Sequence, residues 1–290
     1  MAAVGLLPCA RTALEVATAV LPPFRSRCSK HPFPQPQLLA VPCRMRYQDW
    51  PFRETAVRLR EHREGRRVLP RGSVPDYTTR YRFRKRRDNK KIAPALGAAA
   101  RRRGTVGRRR RARVAVDATG LAPGAVSTFW VRRLYHHTGQ PLPWRHGLPW
   151  LVAVAGDRQL LLSQTARRGP GNDCANLPAW VETANPVVPS GGVLAEAACD
   201  RERNHPSIRR QRGARRIIPA QRGKKTWRLH GVRAARRRNC PRRPYARRAW
   251  VETVFSTVQR KLSARAPGRS LFTQLRQALW LGLAYNLYRL

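Results

Sequence analysis

Two periodicities divide the chain. Up to about residue 100, apolar positions recur at helical spacing. A loose helix is predicted near 10–20, followed by a Pro-punctuated segment. A second helix starts in QPQLLAV (35–41), and a third in WPFRETAVRLREHR (50–63). There Pro51 suits a first helical turn, and Phe52, Ala56 and Leu59 form an apolar stripe. RGSVPD (71–76) reads as a turn, and a basic helix then starts with Asp76 or Thr78 as its cap. After residue 113 the pattern becomes that of short β-branched runs. Strands are predicted over 113–116, 125–131, 148–155 and 159–165, with a turn at Gly156 and Asp157. A short helix falls within 172–184, weakened by Pro178. A buried strand begins at Gly192 and carries Glu196, and another short strand lies in 214–220. Two helices follow, roughly 243–264 and 271–288. No internal repeat is visible. The predicted fold is α/β: a mixed sheet flanked by helices, preceded by an all-α N-terminal region.

The expected division is a Pro-punctuated segment over 1–34, a helical region over 35–100, an Arg-rich linker over 101–112 and a sheet-bearing domain over 113–290. Helix, turn and basic helix within 35–100 is compatible with a DNA-contacting module. It is equally compatible with a helical bundle whose Arg face is solvated. The stretch 278–287 is apolar but too short to span a bilayer, so a core-packing helix is expected rather than an anchor. No leader pattern opens the chain, and a soluble protein is expected.

Charge changes the picture. The 290 residues carry 60 Lys and Arg against 15 Asp and Glu, a formal net charge of +45. Such a field binds polyanions before any detailed contact is made, and nucleic acid is the leading partner. The excess is mostly Arg, whose planar fork pairs with phosphate. A GC-rich genome also raises Arg, but does not explain the scarcity of acids. The linker RRRGTVGRRRRAR (101–113), with Arg108, Arg109 and Arg110, is a phosphate-binding candidate. The six cysteines form no C-x-x-C pair and His136 and His137 are adjacent, so zinc-site spacing is absent and reduced thiols are expected.

Against this background a few acids stand out. Asp117 closes the run VAV (114–116), Glu196 lies in VLAEA (193–197), and Glu252 is the only acid after Glu202. Each has an ordinary reading. Asp117 can cap a turn with the following Ala-Thr-Gly. Glu196 can pair with an Arg, Asp200 can cap the next helix, and Glu252 can pair with Arg248 four residues earlier. Were the three to converge, they would repel one another unless neutralised. A hard divalent cation does that with oxygen ligands, and two such ions about 3.5–4 Å apart clamp both oxygens of an in-line displacement at phosphorus.

The ordered set of segments resembles the DDE transposases of bacterial insertion sequences. VAVDATGL (114–121) resembles the family's first-aspartate strand, and VLAEAACD (193–200) with RERNH (201–205) resembles its second-acid strand. ARRIIPAQRG (214–223) is similar to the strand and basic loop that come next. YARRAWVE (245–252) is similar to the Y-x-x-R-x-x-x-E signature. VPDYTTRYRF (74–83) resembles the helical N-terminal region, and the turn GPGND (169–173) also fits. The resemblance covers about 35–290. It implies a ribonuclease H-like core with Asp117, Glu196 and Glu252 as catalytic metal ligands for Mg2+, or Mn2+ in vitro. It implies DNA contacts by Tyr245, Arg248, Gln259, Arg260 and Lys261, with Tyr245, Arg248, Glu252 and Gln259 on one helix face. It implies strand cleavage at the ends of an insertion sequence and strand transfer to target, with double-stranded DNA as partner, no membrane, a homodimer on DNA and a bacterial cytoplasmic setting. Glu196 stands where the family has Asp, and Gln259 where it has Lys. A catalytically decayed copy, a charge-only nucleic-acid binder, or a ribonuclease H-like nuclease without strand transfer are the alternatives.

Overall fold

The computed structural model describes residues 5–26, 28, 32–69, 73–102, 111–122, 148–156, 158–168, 173–201, 204–220, 241–268 and 270–290. The chain forms two compact units, Met1–Arg103 with Val258–Leu290, and Gly104–Thr257. The predicted strand over 125–131, the histidines at 136 and 137, and Arg108, Arg109 and Arg110 lie outside the described residues, as does most of the turn at 169–173.

The first unit is helical: α1 (Leu6–Val20), α2 (Gln35–Tyr47), α3 (Phe52–Glu61), α4 (Arg63–Arg67), α5 (Tyr77–Lys85), α6 (Asn89–Arg102) and the C-terminal α11 (Leu271–Arg289). The cap expected at 76 forms, with Asp76 accepting from the Thr78 amide at 3.1 Å. Pro51 flanks α3 as its N-cap. Apolar spacing alone predicts no helix over 89–102. There Pro94 and Gly97 interrupt the signal, yet Ile92, Ala95, Leu96, Ala99 and Ala100 are buried, and packing outweighs the propensity cost. Every residue from Gln277 to Leu287 in α11 is buried, as suits a helix that is apolar on all sides. Its Trp280 and Leu283 join Cys9, Ala13, Leu39 and Ala99 in one core cluster. The closing helix expected in the sheet-bearing domain thus packs among the N-terminal helices, because its whole circumference needs apolar cover that a one-sided sheet contact does not give. Among the described residues no helix is long and apolar enough to cross a membrane.

Among the described residues the second unit is built on a five-stranded sheet of order β3-β2-β1-β4-β5. Its strands are β1 (Ala112–Leu121), β2 (Leu148–Ala155), β3 (Leu160–Ala166), β4 (Ser190–Leu194) and β5 (Arg215–Ile217). β1 pairs antiparallel with β2 and parallel with β4; β2–β3 is antiparallel and β4–β5 parallel. The sheet is therefore mixed and flanked by helices, as expected, and is consistent with a ribonuclease H-like fold. The helices are α7 (Leu177–Ala184), α8 (Asn204–Arg212), α9 (Arg242–Ala246) and α10 (Ala249–Lys261), of which 249–257 belong to this unit. Pro178 sits in the first turn of α7, where its missing amide costs nothing.

Three local expectations are corrected. Strand β1 does not stop at Val116 but runs to Leu121, so Asp117 sits mid-strand. Pairing of Asp117 through Leu121 with Val152 through Leu148 supplies partners that outweigh the turn preference of Ala-Thr-Gly. Glu196 lies beyond β4, which ends at Leu194 as its neighbour β5 ends at Ile217. It is the N-cap position of a 3₁₀ turn, Ala197–Cys199. Tyr245 and Glu252 lie on two helices rather than one, since α9 ends at Ala246 and α10 begins at Ala249. Three short-range bonds mark this break: Arg248 N–H to Tyr245 O, Trp250 N–H to Arg247 O and Val251 N–H to Arg248 O.

Candidate active site

Three elements of the sheet unit bring scarce carboxylates to one guanidinium. β1 is the central strand, and the parallel β4 lies beside it, so Asp117 and the residues after Leu194 share the C-terminal end of that strand pair. The third acid comes from α10. Its apolar side holds the helix to the sheet: Val251 and Val254 are buried, and the Phe255 ring stands 6.1 Å from that of Trp150 on β2. Trp250 lies over the turn after β2, with its ring where a Cβ at Gly156 would stand (1.8 Å from Cζ3). Only glycine admits that approach. With the apolar face so fixed, Glu252 in the first turn of α10 is left on the open side, where the helix N-terminus favours a negative charge.

Arg248, in the turn between α9 and α10, meets all three acids. Its Nη1 lies 2.7 Å from Asp117 Oδ2 and 3.1 Å from Glu196 Oε1. Its Nη2 donates to Glu252 Oε1. The side chains of Arg248 and Asp117 are only 17% and 14% exposed, whereas Glu196 and Glu252 are 48% and 55% exposed. The pairing of Glu252 with Arg248 is the ordinary reading raised above, and it coexists with convergence. Burial pushes the Asp117 carboxyl up to about 6, aided by the charges of Glu196 and Glu252 and opposed by the Ala118 amide and Arg248. For Arg248 burial acts downward, yet the three carboxylates together with Tyr245 raise its pKa above the usual guanidinium range.

The loop after Glu196 is anchored from within. Asp200 and His205 are both buried, with His205 Nε2 and Asp200 Oδ1 2.8 Å apart. Asn204 Nδ2 donates to Cys199 O at 3.0 Å, and Arg216 Nη1 to His205 O at 3.0 Å. The Asp200 carboxylate thus bonds the His205 ring, in the first turn of α8 (Asn204–Arg212). Sequence reasoning missed His205 and Trp250. A buried pair five residues apart has no periodic signature, and nothing in the sequence links Trp250 to Gly156.

The other expected contacts are scattered. Tyr245 is half-buried at the end of α9. Gln259, Arg260 and Lys261 are exposed on α10, in the portion that belongs to the helical unit.

Three carboxylates on adjoining elements make the oxygen-only donor set that a hard divalent cation takes. As they stand, the acids are spread around the guanidinium. Among the described residues no three of His, Cys, Asp and Glu are close enough together to hold one ion. The chemistry of the donors fits a divalent cation, and a cation of the chain itself stands at their focus.

A family model described as the transposase DDE domain matches residues 108–287, a span that contains all three acids, Arg248 and the whole sheet. The chain belongs to this family. No curated protein and no solved structure matches it significantly. As a member of the transposase DDE domain family the protein is a DNA-acting transposase, of a family that generally uses divalent metal ions. The match begins in the Arg-rich stretch and runs into α11, so it includes residues of both compact units.

Proposed function

We propose that the protein is the transposase of an insertion sequence, which cleaves DNA strands at the element ends and joins them to target DNA. The observation that supports this reading best is the convergence of Asp117, Glu196 and Glu252, drawn from three distant stretches of a chain with few acids, on Arg248. In this reading the three carboxylates hold Mg2+, which Mn2+ can replace. When bound, the ion supplies positive charge for phosphoryl oxygens and lowers the pKa of water. Asp117, fixed mid-strand and largely buried, sets the position of the site. Glu196 and Glu252 are more exposed and adjust around it.

The Arg-rich segment with Arg108, Arg109 and Arg110 holds the phosphate backbone, helped by Tyr245, Gln259, Arg260 and Lys261. The helical region over 35–100 contacts the element end, 101–112 serves as linker, and catalysis resides in the sheet-bearing part of the span 113–290, whose closing helix α11 packs with the N-terminal helices. Two ends would be bridged by a homodimer, in a bacterial cytoplasm.

The test uses double-stranded DNA carrying the element end, Mg2+, and Asp117→Ala. Equal binding with strand cleavage lost only in the variant is expected. Binding without cleavage by the unmodified chain would instead assign it to the decayed, binding-only class. Cleavage without joining would make it a nuclease.

A further inference from the structure

The focus of the carboxylates is filled by the chain's own cation. The Arg248 guanidinium lies 2.7 Å from Asp117 and 3.1 Å from Glu196, and also bonds Glu252. A magnesium-like ion takes carboxylate oxygens at about 2.0–2.1 Å. It would need the lone pairs that the guanidinium occupies and would meet a like charge at contact distance. The two cations therefore exclude one another. Arg248 is placed to move: it sits in the turn between α9 and α10, and its long side chain can swing without breaking a helix. Once free, its planar fork suits a phosphodiester, which it can grip with paired hydrogen bonds.

Building on the assignment of the three acids as ion ligands, we propose that Arg248 is a gate: it closes the carboxylate cluster against divalent ions until a DNA phosphate draws it away. The gate makes DNA binding and ion binding mutually reinforcing, since each favours the conformer in which Arg248 has left the acids, and such coupling is reciprocal. It also removes the need for an ion to hold three acids together in the DNA-free chain. An ordinary structural ion pair would predict no such coupling.

The experiment titrates MnCl2 into the full chain by calorimetry, with and without an element-end duplex, for the unmodified protein, Arg248→Gln, Arg248→Lys and Asp117→Ala. Without DNA, Arg248→Gln should bind Mn2+ about tenfold or more tightly than the unmodified chain, a factor equivalent to about 1.4 kcal/mol. Arg248→Lys, which keeps the charge but not the fork, should fall between, and serves if Arg248→Gln folds poorly without metal. The duplex should tighten Mn2+ binding by the unmodified chain and leave that of Arg248→Gln nearly unchanged. Equal or weaker Mn2+ binding by Arg248→Gln, with binding lost in Asp117→Ala, would overturn the gate and leave the ligand assignment standing. Equal Mn2+ binding by the unmodified chain and Asp117→Ala would overturn both.

Discussion

Asp117→Asn should stabilise the metal-free protein above neutral pH while abolishing cleavage. Burial raises the Asp117 carboxyl from 3.8 to about 6. A raised folded-state pKa means that the native chain holds this proton more tightly than the unfolded chain does. The associated stability is fully present below about pH 4 and is lost as pH rises through about 6. A shift of about two pKa units is worth about 3 kcal/mol, so at pH 8 the ionised carboxylate costs roughly that much. Asparagine keeps the shape and can still accept from the Ala118 amide, which bonds Asp117 Oδ1 at 2.8 Å. Arg248 retains Glu196 and Glu252 as partners. Gains on this scale move a melting temperature by about 5–10 °C in a chain of this size. Calorimetry in EDTA at pH 4 and pH 8 provides the check, with the gain expected at pH 8 only. An equal or lower melting temperature for Asp117→Asn at pH 8, or the same gain at pH 4, would refute the reasoning.

Other perturbations reach the site through its supports. Gly156→Ala places a methyl group in the Trp250 ring, which must shift and carry the start of α10 with it; a loss of about 1–3 kcal/mol, read in urea melts, should come with reduced cleavage, and Trp250→Leu in the same chain should restore part of the stability. His205→Ala removes the ring that meets Asp200 in a fully buried setting. A loss of about 2–4 kcal/mol is expected from losing this buried hydrogen bond together with the packing of the ring, and His205→Gln, which keeps a donor, should recover part of it; a neutral His205→Ala would show that the loop does not rest on this pair. Glu196→Asp, which restores the family's usual residue, should preserve or raise the rate of end cleavage; a fall to background would argue against Glu196 as the second acid.

The legible part of this molecule was what depends on local pattern. Short apolar, β-branched runs placed β2, β3 and the start of β1, and turn chemistry placed the Asp76 cap, because both reflect interactions within a few residues. Charge pointed to nucleic acid and acid scarcity drew attention to Asp117, Glu196 and Glu252, while DNA and their role as ligands came from the family resemblance. The misreadings share a cause: each element was extended or ended by a partner distant in sequence. Pairing with β2 carries β1 through Asp117 to Leu121, packing makes α6 a helix in spite of Pro94, and the break at 247–248 turns Arg248 out of the helix that carries Glu252.

Sequence alone thus determined most of the elements and the electrostatic character, and drew attention to three acids as candidates, since propensity, patterning and charge are properties of residues and their near neighbours. Only the tertiary structure decided that three acids meet at one arginine, that His205 anchors the second-acid loop and that Trp250 seats α10 on Gly156. Those contacts join residues 4 to 131 positions apart, and apart from the Arg248–Glu252 pair no local preference encodes them: they exist because burying the apolar faces of β1, β2 and α10 leaves the polar groups one place to meet.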